Sequence, residues 1–162
     1  MIRLRPFHVS DAWTMRRLMH DAIRTGARGK YTAAQVAAWS PSPRPDPGWD
    51  DRLADHITLI AEEVTDEVDV PLGFGTMRRD GYLDLLHVRP DRMGKGVAGM
   101  IHDGLLDAVA EFRPARLTTR ASLYARPFLA ARRWRLLGDA TQERGGVMIP
   151  AFDMDRDPPA AP

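Results

Sequence analysis

The sequence predicts an α/β (α+β) fold, with a mixed, mainly antiparallel sheet and helices on both of its faces. Three successive stretches, HITLIAEEV, LGFGTMRR and YLDLLHV, have the β-branched and aromatic content of strands. Helical patterns lie before and after this meander, and such segregation favours the class. A length of 162 residues suits one domain. We expect residues 1–154 to form that domain and the polar, proline-rich residues 155–162 to form a flexible tail.

The first elements carry local start signals. MIRLRP alternates apolar and charged residues, as a half-buried strand does, and a helical pattern runs from Ser10 to Gly26. YTAAQVAAW contains a capping box, with Thr32 at the helix start and Gln35 three residues later, so it predicts a second helix. The next stretch, SPSPRPDPGW, has too many prolines for a helix or a central strand and predicts a surface loop.

The second half of the chain predicts the longest helix. Apolar residues recur at helical spacing from Val97 to Phe112, and Pro114 ends the pattern. ARLTTRAS then predicts a strand, ARPFLAARR predicts a short helix, and WRLLG and GVMIPAFDM predict late strands.

Composition narrows the classes of partner. Lys and Arg total 23 and Asp and Glu total 22, so no overall field favours nucleic acid or an anionic membrane. The lack of cysteine excludes thiolate chemistry and suits the cytoplasm, where we expect the protein. No apolar run approaches the roughly 20 residues of a membrane span, and the start lacks the apolar centre of a signal peptide. The five histidines show no pair at metal-ligand spacing, so we predict no metal.

A glycine-rich junction, RMGKGVAG, lies between the third strand of the meander and the long helix. Free amides at a positive helix end suit a phosphate or pyrophosphate, and Gly94 and Gly96 allow its close approach. Lys95 adds charge. The alternative is that the glycines only form a tight turn. The P-loop pattern is excluded because Lys95 precedes glycine rather than Ser or Thr, and the dinucleotide pattern because the loop follows a meander.

Several motifs in order resemble the GNAT superfamily of N-acetyltransferases. HVRP resembles the family's strand end, and MGKGVA occupies the place of its acetyl-CoA motif. ASLYARPFLAARRW is similar to the family's later Asn/Ser and Phe-Tyr segment. YTAAQVAAWSP and ERGGVMIPAFDM further resemble a bacterial subgroup of YafP type. The likeness extends over nearly the whole chain.

The resemblance implies acetyl-CoA as cosubstrate and a direct transfer to an amine. It places the CoA pyrophosphate on the amides of the glycine loop, which are those of Met93, Gly94, Lys95, Gly96, Val97 and Ala98. It places pantetheine at the strand end, Leu86 and Val88, where the backbone of Val88 polarises the acetyl carbonyl. Ser122 and Phe128 are expected along the far side of the cofactor.

The chain departs from the family pattern at two places that matter for chemistry. Met93 stands where relatives have Arg or Gln, and Leu129 stands where many have the tyrosine that protonates the leaving thiolate. Tyr124, in the same segment, is the candidate replacement acid. The alternative for Tyr124 is an aromatic side chain that packs at a helix start.

Asp84 is the candidate base. By strict alternation it shares a face with Leu86 and Val88, and it would draw a proton from the ammonium substrate through water. A solvated or salt-bridged role is the alternative. His87 has the opposite parity, so we expect it to pack on the other face of the sheet.

The acceptor is expected near the first two helices. Tyr31 and Trp39 flank the proline-rich loop and are candidates to wall an amine pocket or to stack a cation; the alternative is that they anchor the core or the loop. A small amine, an amino-acid derivative or a peptide amine all fit.

Two functions therefore remain open. The first is acetyl-CoA-dependent N-acetylation of a primary amine, and the second is a non-catalytic CoA-binding or dimeric scaffold of the same fold. A homodimer is compatible with the resemblance, and neither nucleic acid nor a membrane is an expected partner.

Overall fold

The computed structural model describes residues 1–162, which form nine strands and five α-helices. The helices are α1 Ala12–Asp21, α2 Ala33–Trp39, α3 Trp49–Ala54, α4 Val97–Val109 and α5 Ala125–Ala130. The strands are β1 Ile2–Pro6, β2 Ile57–Glu63, β3 Val70–Met77, β4 Tyr82–Val88, β5 Leu117–Ala121, β6 Arg135–Asp139, β7 Gln142–Arg144, β8 Val147–Ile149 and β9 Phe152–Arg156. None of the helices combines the length and apolar composition that a membrane span requires.

Seven strands form one sheet in the order β1-β2-β3-β4-β5-β9-β6, while β7 and β8 form a separate hairpin. All neighbours in the sheet are antiparallel except β4 and β5. These two parallel strands pair only at Tyr82 with Thr118 and at Leu83 with Thr119. Both strands continue past these pairs, so the sheet opens between the end of β4 and the end of β5.

Helices cover both faces of the sheet, as predicted. The apolar side of α4 packs on one face through residues that include Ile101, Leu105 and Val109. On the other face, α1 and α3 pack against Ile60, Phe74 and Leu85. A third cluster joins α2 to the β7–β8 hairpin, and it contains Tyr31, Val36 and Ile149. The opening between β4 and β5 therefore has helices on both sides.

The capping box at the start of α2 forms as the sequence predicts. The amide of Gln35 donates to Thr32 Oγ1 at 3.1 Å, and the amide of Thr32 donates to Gln35 Oε1 at 2.9 Å. The meander, the long helix and the proline-rich loop are also present. The short helix α3 was not predicted, because its six residues are too few to show a helical period.

The last strand runs into the segment that the sequence suggested as a flexible tail. β9 extends to Arg156, two residues into 155–162. Arg116 Nε and Arg135 Nε both donate to the carboxylate of Asp155, at 2.9 and 3.0 Å. These ion pairs lower the pKa of Asp155, with the hydrogen bond from Arg135 as the largest cause. The end of the sheet is therefore fixed by charge pairing as well as by backbone bonds.

Candidate active site

Unpaired backbone amides are concentrated at the start of α4. None of the amides from Gly94 to Gly99 donates to a protein acceptor, and no side chain caps the helix. Gly94 and Gly96 have φ values of 72° and 85°, which side-chain-bearing residues rarely adopt. A Cβ atom on either glycine would meet nothing within 4 Å. The loop therefore presents free donors, at the positive end of the longest helix, to open space.

A cavity of about 430 Å³ lies in front of these amides, and we call it the cofactor cavity. Most of the residues predicted to bind cofactor line it, namely Leu86, Val88, Met93, Gly94, Gly96, Ala98, Ser122 and Phe128. Two do not. Lys95 is exposed outside the cavity, and the side chain of Val97 is 2% exposed in the core, so only their backbone groups face the loop.

Arginines, rather than Lys95, supply the positive side chains of this cavity. Arg132 lies 3.9 Å from the centre of the Phe128 ring, and a Cβ atom on Gly99 would come within 2.7 Å of its Nη2 atom. Its guanidinium thus lies against the first turn of α4. Arg92 also lines the cavity but is paired with Glu63 at 2.7 Å. Arg132 has no carboxylate partner within the protein and remains available to an anion.

The end of β4 turns free backbone groups toward the opening in the sheet. Arg89 donates its amide to Leu72 O at 2.8 Å, and Val88 faces Gly73 in the antiparallel pair. Because such pairs alternate their hydrogen bonds, the amide and carbonyl of Val88 point away from β3. On that side β5 has already diverged. An N–H donor is therefore fixed at the edge of the cofactor cavity.

A second cavity of about 230 Å³, which we call the acceptor cavity, lies beside the first. Its walls come from β4, β5, α1, α2, α3 and the β7–β8 hairpin. Five residues line both cavities: Trp39, Leu86, His87, Ser122 and Ala125. We call this set the junction. The two cavities meet where β4 and β5 separate.

Asp84 does not lie on the face that strict alternation predicts. Thr76 pairs with Leu85 and Met77 pairs with Leu83, so Asp84 is an extra residue in a β-bulge. A bulge shifts the alternation by one residue. Asp84 therefore lies with Leu85 and His87, toward α3, and not with Leu86 and Val88. The prediction of its face is wrong for this reason.

The carboxylate of Asp84 is held by Arg52 of α3. Arg52 Nε and Nη2 donate to its two oxygens at 2.6 and 2.8 Å, a bidentate pair. This hydrogen bonding to Asp84 raises the pKa of Arg52. Asp84 lines the acceptor cavity with this partner in place, so the salt-bridged alternative describes its resting state.

His87 packs on Phe74, as expected, with the ring centres 5.9 Å apart. The residue lines both cavities, and its ring nitrogens make no hydrogen bond within the protein. Burial lowers the pKa of His87 to about 4, with further contributions from the charges of Arg52 and Arg16. The ring is therefore neutral near pH 7 and open to a ligand.

Tyr124 and Ser122 lie on the β5–α5 segment beside the cofactor. Tyr124 lines the cofactor cavity, and its hydroxyl lies close to Gly29. The centre of its ring is 5.1 Å from Lys30 Nζ. The hydroxyl makes no hydrogen bond within the protein. Ser122 lies at the junction, where its Oγ accepts from the amide of Ala125 at 3.0 Å. Leu129 is 1% exposed in the core.

Tyr31 and Trp39 both border the acceptor cavity, and their rings meet edge to face at 5.3 Å. Tyr31 is also a structural tie: its hydroxyl donates to Pro150 O at 2.9 Å and accepts from the amide of Leu123 at 2.8 Å. Trp39 belongs to the junction. Both residues thus line this cavity, and the anchoring alternative applies to Tyr31.

Several arginines near the cavities, Arg120 of β5 among them, were missed by the sequence reasoning, and three of them show why. Arg132 follows α5, Arg52 lies on the unpredicted α3, and Arg144 lies on the β7–β8 hairpin. The first was detectable as part of the basic run ARRWR after the α5 pattern. The other two become recognisable only once the sheet brings distant segments together.

Comparison with known proteins identifies the family of the chain. The family model for the acetyltransferase (GNAT) domain matches residues 28–155. A GCN5-related N-acetyltransferase from Rhodopseudomonas palustris is 26% identical and has a TM-score of 0.85, with 96% of this chain and 94% of that chain covered. No curated protein sequence matches the chain significantly.

Two more distant structures share the fold and hold the cofactor. YncA from Salmonella typhimurium, with acetyl-CoA, has a TM-score of 0.71 at 16% identity and covers 100% of this chain and 98% of its own. The PaiA N-acetyltransferase from Thermoplasma acidophilum, in complex with coenzyme A, has a TM-score of 0.72 at 13% identity, with 97% and 99% covered. Since the family model spans well over half of the chain, this protein belongs to the GNAT family of acetyltransferases.

Proposed function

We propose that this protein is an acetyl-CoA-dependent N-acetyltransferase that moves the acetyl group directly to a primary amine. The observation that carries the proposal is the row of unpaired amides from Gly94 to Gly99, which faces a cavity that continues into a second one. A carrier of an anionic diphosphate fits the first cavity, and an acceptor fits the second. The YncA and PaiA structures, which hold acetyl-CoA and coenzyme A, support the same cosubstrate here.

The residues present fit CoA. The Gly94–Gly99 amides are donors for its pyrophosphate, and Arg132 adds a charge that the protein leaves unpaired. The apolar wall formed by Leu86, Val88 and Phe128 suits the pantetheine arm. Lys95 has only a long-range electrostatic role, because its side chain is outside the cavity.

Bound acetyl-CoA supplies a thioester, at which the amine forms a C–N bond as the C–S bond breaks and the thiolate takes a proton. The amide of Val88 points away from β3 at the opening, which supports a role in stabilising the carbonyl oxygen as it gains negative charge. The junction holds both reactants in one opening, which replaces a bimolecular encounter by a positioned one. Tyr124, with an unpartnered hydroxyl on the cofactor side, is the proposed donor of the thiolate proton.

An amine with a pKa near that of lysine, roughly 10.4, must lose a proton before it attacks. The chain offers two groups for this step. His87 presents a neutral, unpartnered ring at the junction, whereas Asp84 is held by Arg52. We therefore propose that His87 hydrogen-bonds the attacking nitrogen and that Asp84 accepts the proton through water. Tyr31 and Trp39 form the apolar wall on which the acceptor lies.

A non-catalytic CoA-binding scaffold is the second candidate. The buried Leu129 favours it, because a core leucine cannot protonate a thiolate. We also propose that the chain belongs to the YafP-type subgroup and that it forms a homodimer.

Two measurements separate these functions. Calorimetric titration with CoA tests the cofactor cavity, and the absence of binding would reject both functions. Free-thiol release from acetyl-CoA in the presence of single amines tests turnover. Release with particular amines supports the transferase, and tight binding without release on a broad amine panel supports the scaffold.

A further inference from the structure

The acceptor cavity has an excess of positive charge among its lining residues. Three arginines, Arg52, Arg120 and Arg144, line it, and Asp84 is its only carboxylate. A cavity built for a simple ammonium would be expected to show the reverse balance. The distribution of these charges among partners decides how much of the excess a ligand would meet.

Arg52 and Asp84 compensate each other. Their two hydrogen bonds, at 2.6 and 2.8 Å, satisfy both carboxylate oxygens. The pair therefore contributes little net charge to the cavity. The remaining charge belongs to β5 and to the β7–β8 hairpin.

Arg144 has no carboxylate within the protein. Its side-chain hydrogen bond goes to the neutral Gln142 Oε1 at 3.4 Å. Arg120 has one loose partner, Asp153, at 3.6 Å. The side chains of Arg120 and Asp153 are 44% and 50% exposed. Asp153 does not line the cavity. His87 has a lowered pKa and is uncharged near pH 7, so it leaves this balance of charges unchanged.

We infer that the acceptor is an amine that also carries an anionic group, a carboxylate or a phosphonate, which Arg144 binds while the nitrogen points to the junction. This inference rests on the proposed function. A guanidinium binds either anion through paired N–H donors, and Arg120 adds charge beside it. The cavity volume of about 230 Å³ suits an acceptor of amino-acid size.

The test is a steady-state comparison of matched acceptors. Glycine and β-alanine are compared with their amides, and aminomethylphosphonate forms a separate arm. Rates are expressed per free-base amine, because an amide lowers the pKa of the neighbouring amine. The variants are Arg144→Gln, Arg144→Lys, and Arg79→Gln as a matched control, since Arg79 is exposed and lines neither cavity.

We expect kcat/KM for an acid to exceed that for its amide by about tenfold or more, as loss of a charge-assisted hydrogen bond implies. Arg144→Gln should lower kcat/KM for the acids by about tenfold and leave the amides nearly unchanged. Arg144→Lys should retain part of the preference, and Arg79→Gln all of it. A higher kcat/KM for glycine and β-alanine identifies the anion as a carboxylate, and a higher kcat/KM for aminomethylphosphonate identifies it as a phosphonate.

Two results would overturn the inference. Equal or better turnover of the amides would reject the anionic acceptor while leaving the transferase function intact, as would an equal loss for acids and amides in Arg144→Gln. CoA binding without turnover of any amine would reject the proposed function itself, and the acceptor class with it.

Discussion

Asp84 and His87 lie on the same face of β4, although three positions along a regular strand would place them on opposite faces. The bulge at Asp84 causes this, since Leu85 pairs with Thr76 and Leu83 with Met77. Both side chains therefore border the acceptor cavity. Leu86 lines both cavities, and Val88 lines only the cofactor cavity. One extra residue thus places both polar side chains of this segment beside the acceptor cavity, whereas Val88 lines the cofactor cavity alone.

The glycine loop gives the first prediction. Gly96→Val should weaken CoA binding by about 30-fold or more, because a branched side chain obstructs the anion's approach and strains a positive φ. Gly48→Val is the matched control: Gly48 also has a φ of 85° and open space around a Cβ, but it lies outside both cavities. Calorimetry on both variants checks this. Equal losses would mean that backbone strain, and not the cradle, is responsible.

Arg132 and Lys95 give the second prediction. Arg132→Gln should weaken CoA binding by about tenfold, and the loss should shrink as salt is raised. Lys95→Ala should have a smaller effect, because its side chain is exposed outside the cavity. Pantetheine, which has no pyrophosphate, serves as the control ligand. If Arg132→Gln weakened the binding of pantetheine as much as the binding of CoA, the role of Arg132 would be to pack on Phe128.

Tyr124 gives the third prediction. Tyr124→Phe should lower kcat by about 100-fold while CoA affinity stays nearly unchanged, since only the proton donor is removed. Single-turnover thiol release and calorimetry measure the two quantities. The control variant is Tyr82→Phe, because Tyr82 lies on the acceptor side. Leu129→Phe would not serve as a control, because Leu129 is buried. Unchanged kcat in Tyr124→Phe would remove Tyr124 from the mechanism.

His87 gives a prediction about stability and pH. Its pKa in the folded protein, about 4, is below the ordinary value of 6.5, so the unfolded chain binds more protons between these values. The free energy of unfolding should therefore fall as pH drops from 6.5 toward 4, by at most about 3 kcal/mol from this residue. The free energy of unfolding of the His87→Gln variant should fall less steeply over the same pH range.

Denaturant unfolding at several pH values measures this difference. His20 and His102 also have lowered pKa values, mainly because of burial, so part of the decline persists in the variant. Parallel curves for the wild type and His87→Gln would show that the His87 ring is protonated as easily in the folded protein as in the unfolded chain.

Local signals in the sequence account for much of the fold. The capping box at Thr32, the meander and the long helix are all marked by residues close in the chain, and each is confirmed. The glycine loop was recognisable for the same reason, because its backbone conformation depends on its own glycines. The GNAT resemblance, carried by that loop and its neighbours, is confirmed by the family match.

The acceptor side was harder to predict because it depends on distant segments. Nothing in YLDLLHV marks the bulge, which arises from its pairing with β3. Arg52 and Arg144 reach the cavity only because α3 and the β7–β8 hairpin pack near β4. The insertion of β9 between β5 and β6 is likewise a tertiary feature. Strand parity alone could not place Asp84.

The central claim is that the free amides before α4 hold the pyrophosphate of CoA. The most direct test follows the amide proton and nitrogen resonances of Gly94, Gly96 and Gly99 during a CoA titration, with those of Gly48 and Gly138 as references outside the cavities. We predict large downfield proton shifts at the loop and little change at the references. CoA binding that leaves the loop resonances in place would contradict the claim.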